Sequence, residues 1–278
     1  MKNRNIEIIT SGKKMKMIIL EPEEKKDKMP GILWIHGGGY AMGMASMVYF
    51  SRGKDLGERF GCVVISPEYR LSGKAPYPAA LDDCYAALEY MWDHADELKI
   101  DRERITVGGE SAGGGLAAAV CLYARDKGKV KIAMQLPLYP MLDCEDTESS
   151  RRNFGIIWNT AANHWGWKKY LRSLYHSDHV PAYASPSRAE DLSSLPPCYT
   201  FVCKGEPFYR ETLDYVKKLQ ESGVPACVDV FPGNTHAFDL FLFLAKSTKK
   251  AKQRLAEAFE AVVLRYDTEF LQKRELPE

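Results

Sequence analysis

The stretch Ile105–Leu116 contains a serine in a setting suited to nucleophilic chemistry. Its sequence, ITVGGESAGGGL, opens with a short β-branched run and leads into a helix-forming segment. Between the two, Gly109-Glu110-Ser111-Ala112-Gly113 matches the G-x-S-x-G pattern of a sharp strand-to-helix turn. Glycine flanks let the chain pass close to the serine, and the following helix directs its N-terminal N–H groups toward developing negative charge. Ser111 is therefore the candidate nucleophile.

Two simpler interpretations compete with this one. A G-x-S-x-G run also arises by chance, and a glycine-rich strand-to-helix turn is often only a tight packing point. Gly113, Gly115 and Ala118 fit a loose dinucleotide-binding spacing. That spacing begins inside the helix, however, and no acidic residue ends a following strand as the motif requires. The chain contains no G-x-x-x-x-G-K-[ST] phosphate loop. The choice depends on the rest of the chain.

Two further segments carry groups that a nucleophilic serine needs. His36-Gly37-Gly38-Gly39-Tyr40 follows the apolar run Pro30–Ile35, and successive glycines let backbone N–H groups converge on an oxyanion. A serine hydroxyl also needs a base to take its proton. His236 lies in the loop after the apolar run Ala226–Phe231, and we predict that it is this base.

An acidic residue between Ser111 and His236 would fix the tautomer of the histidine. Glu206 and Glu211 both follow the apolar run Cys198–Cys203, and glutamates are ordinarily charged at neutral pH. Glu206 lies in the turn directly after this run. Glu211 lies at the start of the next predicted helix, where a carboxylate commonly complements the helix dipole. We therefore predict that Glu206 is the acid.

Short apolar segments alternate with amphipathic ones through most of the chain. The predicted strands are Asn5–Thr10, Met15–Leu20, Pro30–Ile35, Cys62–Ser66, Ile105–Gly108, Ile132–Leu138, Cys198–Cys203 and Ala226–Phe231. The predicted helices are Ala79–Trp92, a segment after Ser111 that stops near Lys127, Glu211–Ser222, and Thr248–Leu271 with Leu255, Phe259, Val262 and Tyr266 on one stripe. This alternation indicates an α/β fold with a mainly parallel central sheet flanked by helices. Sites in such sheets gather at the carboxyl ends of the strands, so the loops that follow the strands are expected to meet at one edge.

Residues 143–183 interrupt the alternation and concentrate aromatic side chains. We interpret this region as a small helical cap, inserted over the site within a single domain of residues 1–278. An ordinary pair of helices with aromatic cores is the alternative. His176 and His179, three positions apart, fit two metal ligands on a helix. Because no HExxH motif or cysteine pair lies nearby, we interpret them as surface or cap histidines and expect no metal and no cofactor.

Composition argues against several other classes of function. The 278 residues have a net charge of +1, 45% hydrophobic residues and 27% charged residues, which is ordinary for a soluble enzyme. This net charge gives no electrostatic signature of binding to nucleic acid or to an anionic membrane. No apolar run approaches the roughly 20 residues that span a bilayer, and the first residues do not resemble a secretory signal. Seven cysteines without a C-x-x-C pair indicate reduced thiols and a cytoplasmic location.

Together these segments resemble the hormone-sensitive-lipase-like branch of the α/β-hydrolases, which includes bacterial acetyl and carboxyl esterases. The resemblance runs from about Gly31 to the C-terminal helix. It rests on HGGG at 36–39, EYRL at 68–71, PYPAA at 76–80, GESAGG at 109–114, ASP at 184–186, LPP at 195–197 and GNTH at 233–236. Relatives usually have aspartate where this chain has Glu110 and Glu206. They also commonly carry a longer helical N-terminal cap, so the cap here is expected mainly from residues 143–183.

The resemblance implies an α/β-hydrolase fold and ester hydrolysis without a cofactor, through an acyl-enzyme. It implies that the N–H groups of Gly38, Gly39 and Ala112 form the oxyanion hole, and it aligns Glu206 with the catalytic acid of the family. We therefore expect a serine carboxylesterase that acts on small-molecule esters of short acyl chains. An amidase or peptidase with the same triad is the nearer alternative, and a non-catalytic small-molecule receptor is the more distant one. A homo-oligomer is compatible with the sequence.

Overall fold

A single eight-stranded sheet forms the centre of the molecule in the computed structural model, which describes residues 1–272. The strands are β1 Lys2–Thr10, β2 Lys13–Glu21, β3 Met29–Ile35, β4 Val63–Pro67, β5 Ile100–Glu110, β6 Met134–Leu138, β7 Cys198–Cys203 and β8 Ala226–Phe231. Their order across the sheet is β1-β2-β4-β3-β5-β6-β7-β8. Strands β3 to β8 are parallel, and β1 and β2 form an antiparallel hairpin that pairs through β2 with β4. The mainly parallel α/β fold predicted from the sequence is confirmed.

Helices connect the parallel strands, as a parallel arrangement requires. They are α1 Arg52–Phe60, α2 Ala79–Asp93, α3 Ala95–Leu98, α4 Ala112–Lys127, α5 Thr160–Leu171, α6 Tyr209–Glu221, α7 Phe238–Phe241, α8 Lys246–Phe259 and α9 Glu269–Gln272. A 3₁₀ segment, Ala45–Phe50, precedes α1. Residues 273–278 of the predicted domain lie outside the described residues.

Helix α4 occupies the interior next to the sheet. Every residue from Ala112 to Leu122 is buried, and the helix contacts both β5 and β6 as well as α2. A helix that is apolar on all sides belongs inside a protein, which explains the run of alanines and other apolar residues in this segment. The helix ends where Gly128 adopts the left-handed conformation, as its position after Lys127 predicted. The interior position of α4 fixes the serine at its N-terminus.

The carboxyl ends of β3, β5, β7 and β8 lie at the same edge of the sheet, because these strands are parallel members of one sheet. The segments that leave these four ends carry, in order, the glycine run, Ser111, Glu206 and His236. The strand order therefore brings together loops that are far apart in the sequence.

The prediction of one continuous C-terminal helix over Thr248–Leu271 is wrong. The α-helical hydrogen bonding of α8 ends at Phe259, and a single π-helical turn, Glu260–Leu264, follows directly. In this turn the Arg265 N–H donates to the Glu260 carbonyl at 3.1 Å, a spacing of five residues that widens the helix before the chain leaves it. Tyr266 then has φ 55° and is 58% exposed, so it does not belong to the buried stripe that contains the other three predicted members.

The region 143–183 contains one helix of more than one turn, α5, rather than a helix pair. His176 and His179 lie in turns after the short 3₁₀ segment Arg172–Leu174, and so they are not on one face of a helix. Within residues 1–272, no cluster of three or more histidine, cysteine or acidic side chains has the arrangement of a metal site.

Over the same residues, every helix is too short or too polar to pass through a lipid bilayer. All seven cysteines are buried and unpaired with one another.

Candidate active site

Ser111 occupies a sharp turn between β5 and α4, with φ 58° and ψ −122°. A positive φ is uncommon for a residue with a side chain and marks a strained backbone held by its surroundings. The Ser111 N–H donates to the Leu138 carbonyl at 3.0 Å, and the Ser111 carbonyl accepts from the Met141 N–H at 3.0 Å. A Cβ at Gly113 would lie 2.2 Å from the Ile35 carbonyl oxygen, so only glycine fits there. Hydrogen bonds and close packing therefore hold the backbone of this turn in place.

The three side chains predicted to act together form one hydrogen-bonded chain. The Ser111 hydroxyl lies 2.8 Å from His236 Nε2. On the other side of the ring, His236 Nδ1 donates to Glu206 Oε2. The second carboxylate oxygen of Glu206 accepts from the Cys203 N–H at 2.8 Å. All three side chains are buried. This arrangement lets the imidazole take a proton from the hydroxyl while its other nitrogen remains bound to a carboxylate.

Two aromatic rings contact the imidazole of His236 in T-shaped arrangements. Tyr139, directly after β6, and Phe208, directly before α6, have ring centroids 5.2 Å and 5.0 Å from the imidazole, each at 83° to its plane. Edge-to-face contacts of this kind restrict rotation of the ring. Neither residue could be predicted from the sequence, because no local pattern shows which aromatic side chain faces a histidine in another loop.

Three backbone N–H groups near Ser111 lack an acceptor in the part of the chain that the structure describes. Within residues 1–272, the N–H groups of Gly38, Gly39 and Ala112 donate to no carbonyl or side chain. Gly38 has φ 119° and Gly39 has φ 58°, conformations that favour glycine. A Cβ at Gly37 would lie 3.3 Å from the Ser111 Cβ, so this loop lies directly against the serine turn. The three unpaired N–H groups can donate hydrogen bonds to a negatively charged oxygen.

The glycine loop is supported by His36 and Tyr69. His36 Nδ1 donates to the Gly37 carbonyl at 2.8 Å, and the Tyr69 hydroxyl donates to the His36 carbonyl at 3.1 Å. The two rings are stacked, with centroids 4.2 Å apart. Burial lowers the pKa of His36 to about 4, so this imidazole is neutral at physiological pH. The role of His36 is to shape the loop.

The predicted cap region reaches the glycine loop through Trp158. A Cβ at Gly39 would lie only 2.2 Å from a ring atom of Trp158, so the indole covers this glycine. Helix α5 approaches from the same region, because a Cβ at Gly166 would lie 3.1 Å from the Gly39 carbonyl oxygen. Part of residues 143–183 therefore borders the three unpaired N–H groups.

A buried charged cluster lies behind the serine and histidine. Glu110 Oε2 accepts from Trp34 Nε1 at 2.8 Å, and Oε1 accepts from the Arg52 N–H at 3.3 Å. The Arg52 guanidinium Nε lies 3.2 Å from Asp239 Oδ2. Glu110 directly precedes Ser111, and Asp239 follows the histidine loop at the start of α7. Arg52, from the first turn of α1, therefore links the segments that carry the serine and the histidine. Apart from the acidic residue before the serine, no sequence pattern indicated this cluster.

Burial, and to a smaller extent the nearby carboxylate of Asp239, raise the pKa of Glu110 to about 8. Burial likewise raises the pKa of Asp239, to about 6, while the positive charge of Arg52 opposes this rise. The carboxyl group of Glu110 is therefore largely protonated at neutral pH. Its ionisation on going to alkaline pH adds a second negative charge beside Asp239.

We expect Glu110→Gln to flatten the alkaline decline of stability. A carboxyl group whose pKa is raised by folding stabilises the folded state below its ordinary pKa, and this contribution is lost as the pH rises through about 8. Between about pH 6 and about pH 9 the melting temperature of the wild type should therefore fall by several degrees more than that of the variant.

Thermal unfolding at a series of pH values measures this difference. Glu24→Gln, at an exposed glutamate, is the matched control and should follow the wild-type curve. Parallel curves for the wild type and Glu110→Gln would contradict the raised pKa.

Glu211 lies in the first turn of α6, as predicted, but it does more than complement the helix dipole. Its side chain is buried, and Oε1 accepts from the Leu142 N–H at 2.6 Å and the Asp143 N–H at 3.3 Å. Burial raises the pKa of Glu211 well above its ordinary value. No contact within the described residues joins it to His236. Glu211 therefore supports the chain that follows β6, and Glu206 is the acidic residue that meets the histidine.

Comparison with known proteins agrees with this geometry. Residues 32–240 match a family described as the alpha/beta hydrolase fold. An arylesterase of Saccharolobus solfataricus is 34% identical over 211 residues, covering 74% of this chain and 67% of that protein. The carboxylesterase NlhH of Mycobacterium tuberculosis is 31% identical over 244 residues, covering 84% of this chain and 74% of that protein. Among solved structures, a bacterial heroin esterase has a TM-score of 0.90 at 35% identity, covering 94% of this chain and 84% of the other. The chain therefore belongs to the α/β-hydrolases, in their hormone-sensitive-lipase-like branch.

Proposed function

We propose that this protein is a serine carboxylesterase that hydrolyses esters of short acyl chains through an acyl-enzyme. The observation that carries the proposal is the buried hydrogen-bonded chain from Ser111 through His236 to Glu206. The nearby unpaired N–H groups support it, because acyl transfer needs both an activated hydroxyl and a site for an oxyanion. Relatives of 34% and 31% identity are an arylesterase and a carboxylesterase, which supports an ester as the substrate.

In the first half of the proposed reaction, the Ser111 Oγ attacks the acyl carbonyl carbon while His236 Nε2 takes the hydroxyl proton. The carbonyl oxygen becomes an oxyanion that accepts hydrogen bonds from the N–H groups of Gly38, Gly39 and Ala112. When the tetrahedral intermediate collapses, the bond to the alcohol oxygen breaks. His236 gives its proton to that oxygen, so the alcohol leaves neutral and the acyl group remains on the serine.

In the second half, water replaces the alcohol. His236 takes a proton from the water as the oxygen attacks the acyl carbon, and the same three N–H groups bind the second oxyanion. Collapse of this intermediate breaks the bond to the Ser111 Oγ, which regains its proton from His236. The role of Glu206 in both halves is to hold the Nδ1 proton and to stabilise the imidazolium that forms.

The ester class is tested with matched substrates that differ only in the leaving group. We expect 4-nitrophenyl butyrate to be hydrolysed far faster than the corresponding 4-nitroanilide, and kcat/KM for the two is the measurement. A preference for the anilide would favour the amidase or peptidase alternative. Saturable binding of the ester without turnover would favour a receptor.

We expect acetyl to butyryl esters to be preferred over acyl chains of about ten carbons. The acyl carbonyl must approach Gly39, and the Trp158 indole covers this residue, so the space beside a bound acyl group is restricted. An added methylene contributes about 0.8 kcal/mol only where it is buried. Trp158→Ala should therefore raise kcat/KM for the decanoyl ester relative to the butyryl ester by roughly tenfold, equivalent to one or two newly buried methylenes.

Trp165→Ala, at an exposed tryptophan on α5, is the matched control and should leave the ratio unchanged. A wild-type kcat/KM that rises steadily to long acyl chains would contradict the short-chain preference. Equal effects of the two substitutions would show that Trp158 does not border the acyl group.

A cytoplasmic location is part of the proposal. Seven buried cysteines without a disulfide suit a reducing compartment.

A further inference from the structure

The segment that follows the histidine loop exposes four consecutive large apolar side chains. Phe241, Leu242, Phe243 and Leu244 extend from the end of α7 to the turn before α8, with exposed fractions of 54%, 47%, 66% and 77%. Their backbone is nevertheless ordered by local hydrogen bonds, such as the one from the Leu242 N–H to the Phe238 carbonyl at 2.7 Å. A run of exposed apolar side chains on an ordered backbone is unusual for a surface in contact with water alone.

A second apolar residue from a distant part of the chain extends this surface. Phe50, at the end of the 3₁₀ segment before α1, is 79% exposed. Phe50 and Phe243 line the same cavity of about 400 Å³, together with Met47 and Leu240. The cavity is also lined by Arg52, Glu110 and Asp239, so the apolar surface borders the buried cluster behind Ser111 and His236.

Positive charge adjoins the apolar side chains. From Leu240 to Ala256 the sequence has five cationic residues and no acidic one, although the whole chain has a net charge of only +1. Lys246, Lys249 and Lys250 lie at positions i, i+3 and i+4 of α8 and therefore share one exposed face. Their ammonium groups have no carboxylate within 4.0 Å among residues 1–272, whereas nearby Lys252 pairs with Asp55. The net charge of the whole chain does not show this local excess of positive charge.

We propose that Phe50, Phe243, Leu244 and the three unpaired lysines form a docking face for an anionic lipid surface. Side chains as exposed as Phe243 and Leu244 protrude from the molecule, and the acyl region of a bilayer accepts protruding apolar groups without a shaped socket. Lysines beside them are attracted to anionic headgroups, and the two contributions together are what stable interfacial binding requires. Docking would place the buried cluster behind Ser111 and His236 next to the lipid–water interface.

Sedimentation with lipid vesicles tests the docking face directly. We expect the full-length protein to bind vesicles of equal parts phosphatidylglycerol and phosphatidylcholine, and to bind vesicles of phosphatidylcholine alone much more weakly. Binding should weaken between about 0.1 M and about 1 M salt, because the Debye length falls from about 10 Å to about 3 Å. Equal binding to both kinds of vesicle, or no binding to either, would overturn the proposal.

Two sets of variants separate the apolar and the charged contributions. Changing Lys246, Lys249 and Lys250 together to glutamine should weaken partition into the anionic vesicles by about 10²-fold. The substitutions Phe243→Ser and Leu244→Ser together should weaken it by at least about tenfold. If the lysine changes alone abolish binding and the serine changes have no effect, the contact is a simple attraction to any polyanion, and the lipid-docking proposal fails.

Matched controls come from exposed residues elsewhere on the protein. Ile9→Ser changes an apolar side chain of the same 66% exposure as Phe243, and glutamine at Lys13, Lys26 and Lys74 removes the same charge. The controls should bind vesicles like the wild type, and every variant should hydrolyse a water-soluble ester like the wild type.

Sedimentation velocity without lipid distinguishes a rival occupant of this surface, a second copy of the chain. A self-association that Phe243→Ser abolishes, in a protein that does not bind vesicles, would assign this surface to a second copy of the chain.

Discussion

Alanine at position 111 is expected to lower kcat/KM for a short-chain aryl ester by several orders of magnitude. Among residues 1–272, the substitution removes the only oxygen within hydrogen-bonding distance of His236 Nε2, at 2.8 Å, and no acyl-enzyme can then form. Substrate binding and the unpaired N–H groups of Gly38, Gly39 and Ala112 remain. A residual acceleration of about 10³–10⁴ over the uncatalysed reaction is therefore expected, as in other enzymes of this mechanism.

Covalent labelling gives an independent measurement of the same assignment. A fluorophosphonate should add a single group to the wild type, located at Ser111 by peptide mass analysis, and none to Ser111→Ala. Ser66→Ala is a suitable control, because Ser66 is also buried but its hydroxyl donates to the Ala45 carbonyl at 3.3 Å. Labelling at another residue, or nearly normal turnover by Ser111→Ala, would remove Ser111 from the mechanism.

The strands that position the site were predictable because their signals are local. β7 and β8 have the bounds predicted from sequence, Cys198–Cys203 and Ala226–Phe231. Each is a short, mostly apolar run that directly follows proline, and such a run is typical of a largely buried parallel strand. The meeting of Ser111, Glu206 and His236 could also be anticipated, since parallel strands bring their carboxyl ends to one edge.

Features that depend on tertiary contacts could not be predicted in this way. The apolar stripe of the C-terminal segment continues to Tyr266, but the π-helical turn at Glu260–Leu264 changes the direction of the chain before that residue. Periodicity reports which face of a helix is apolar and does not report where the hydrogen-bond spacing changes. The ion pair of Arg52 with Asp239 was missed for a related reason. Sequence patterns place charged residues such as these at the surface. Only the fold shows that both side chains are buried and form an ion pair with each other.

Glu206→Gln is expected to lower kcat by roughly three to four orders of magnitude with little change in structure. In the wild type, one carboxylate oxygen accepts from His236 Nδ1 and the other from the Cys203 N–H at 2.8 Å. Because the Cys203 N–H must retain an acceptor, the glutamine oxygen is expected to face Cys203 and its NH₂ group to face Nδ1. An amide donor at Nδ1 favours the tautomer that carries its proton on Nε2, and this nitrogen can then no longer accept the proton of Ser111.

Two further variants test whether this effect belongs to Glu206 itself. Glu206→Asp keeps the charge on a side chain shorter by one methylene, so it should retain partial activity. Glu211→Gln is the matched control, because Glu211 is equally buried and follows the same strand but accepts from the Leu142 and Asp143 N–H groups. Burial raises its pKa well above the ordinary value, so the neutral glutamine is a conservative replacement for this carboxyl group. Glu211→Gln should lose stability or substrate affinity while its kcat stays near that of the wild type.

The decisive comparison is kcat for the two glutamine variants at one pH. An inactive Glu211→Gln beside an active Glu206→Gln would transfer the acid role to Glu211, and the assignments of Ser111 and His236 would stand, because their contact at 2.8 Å does not depend on which carboxylate orients the ring.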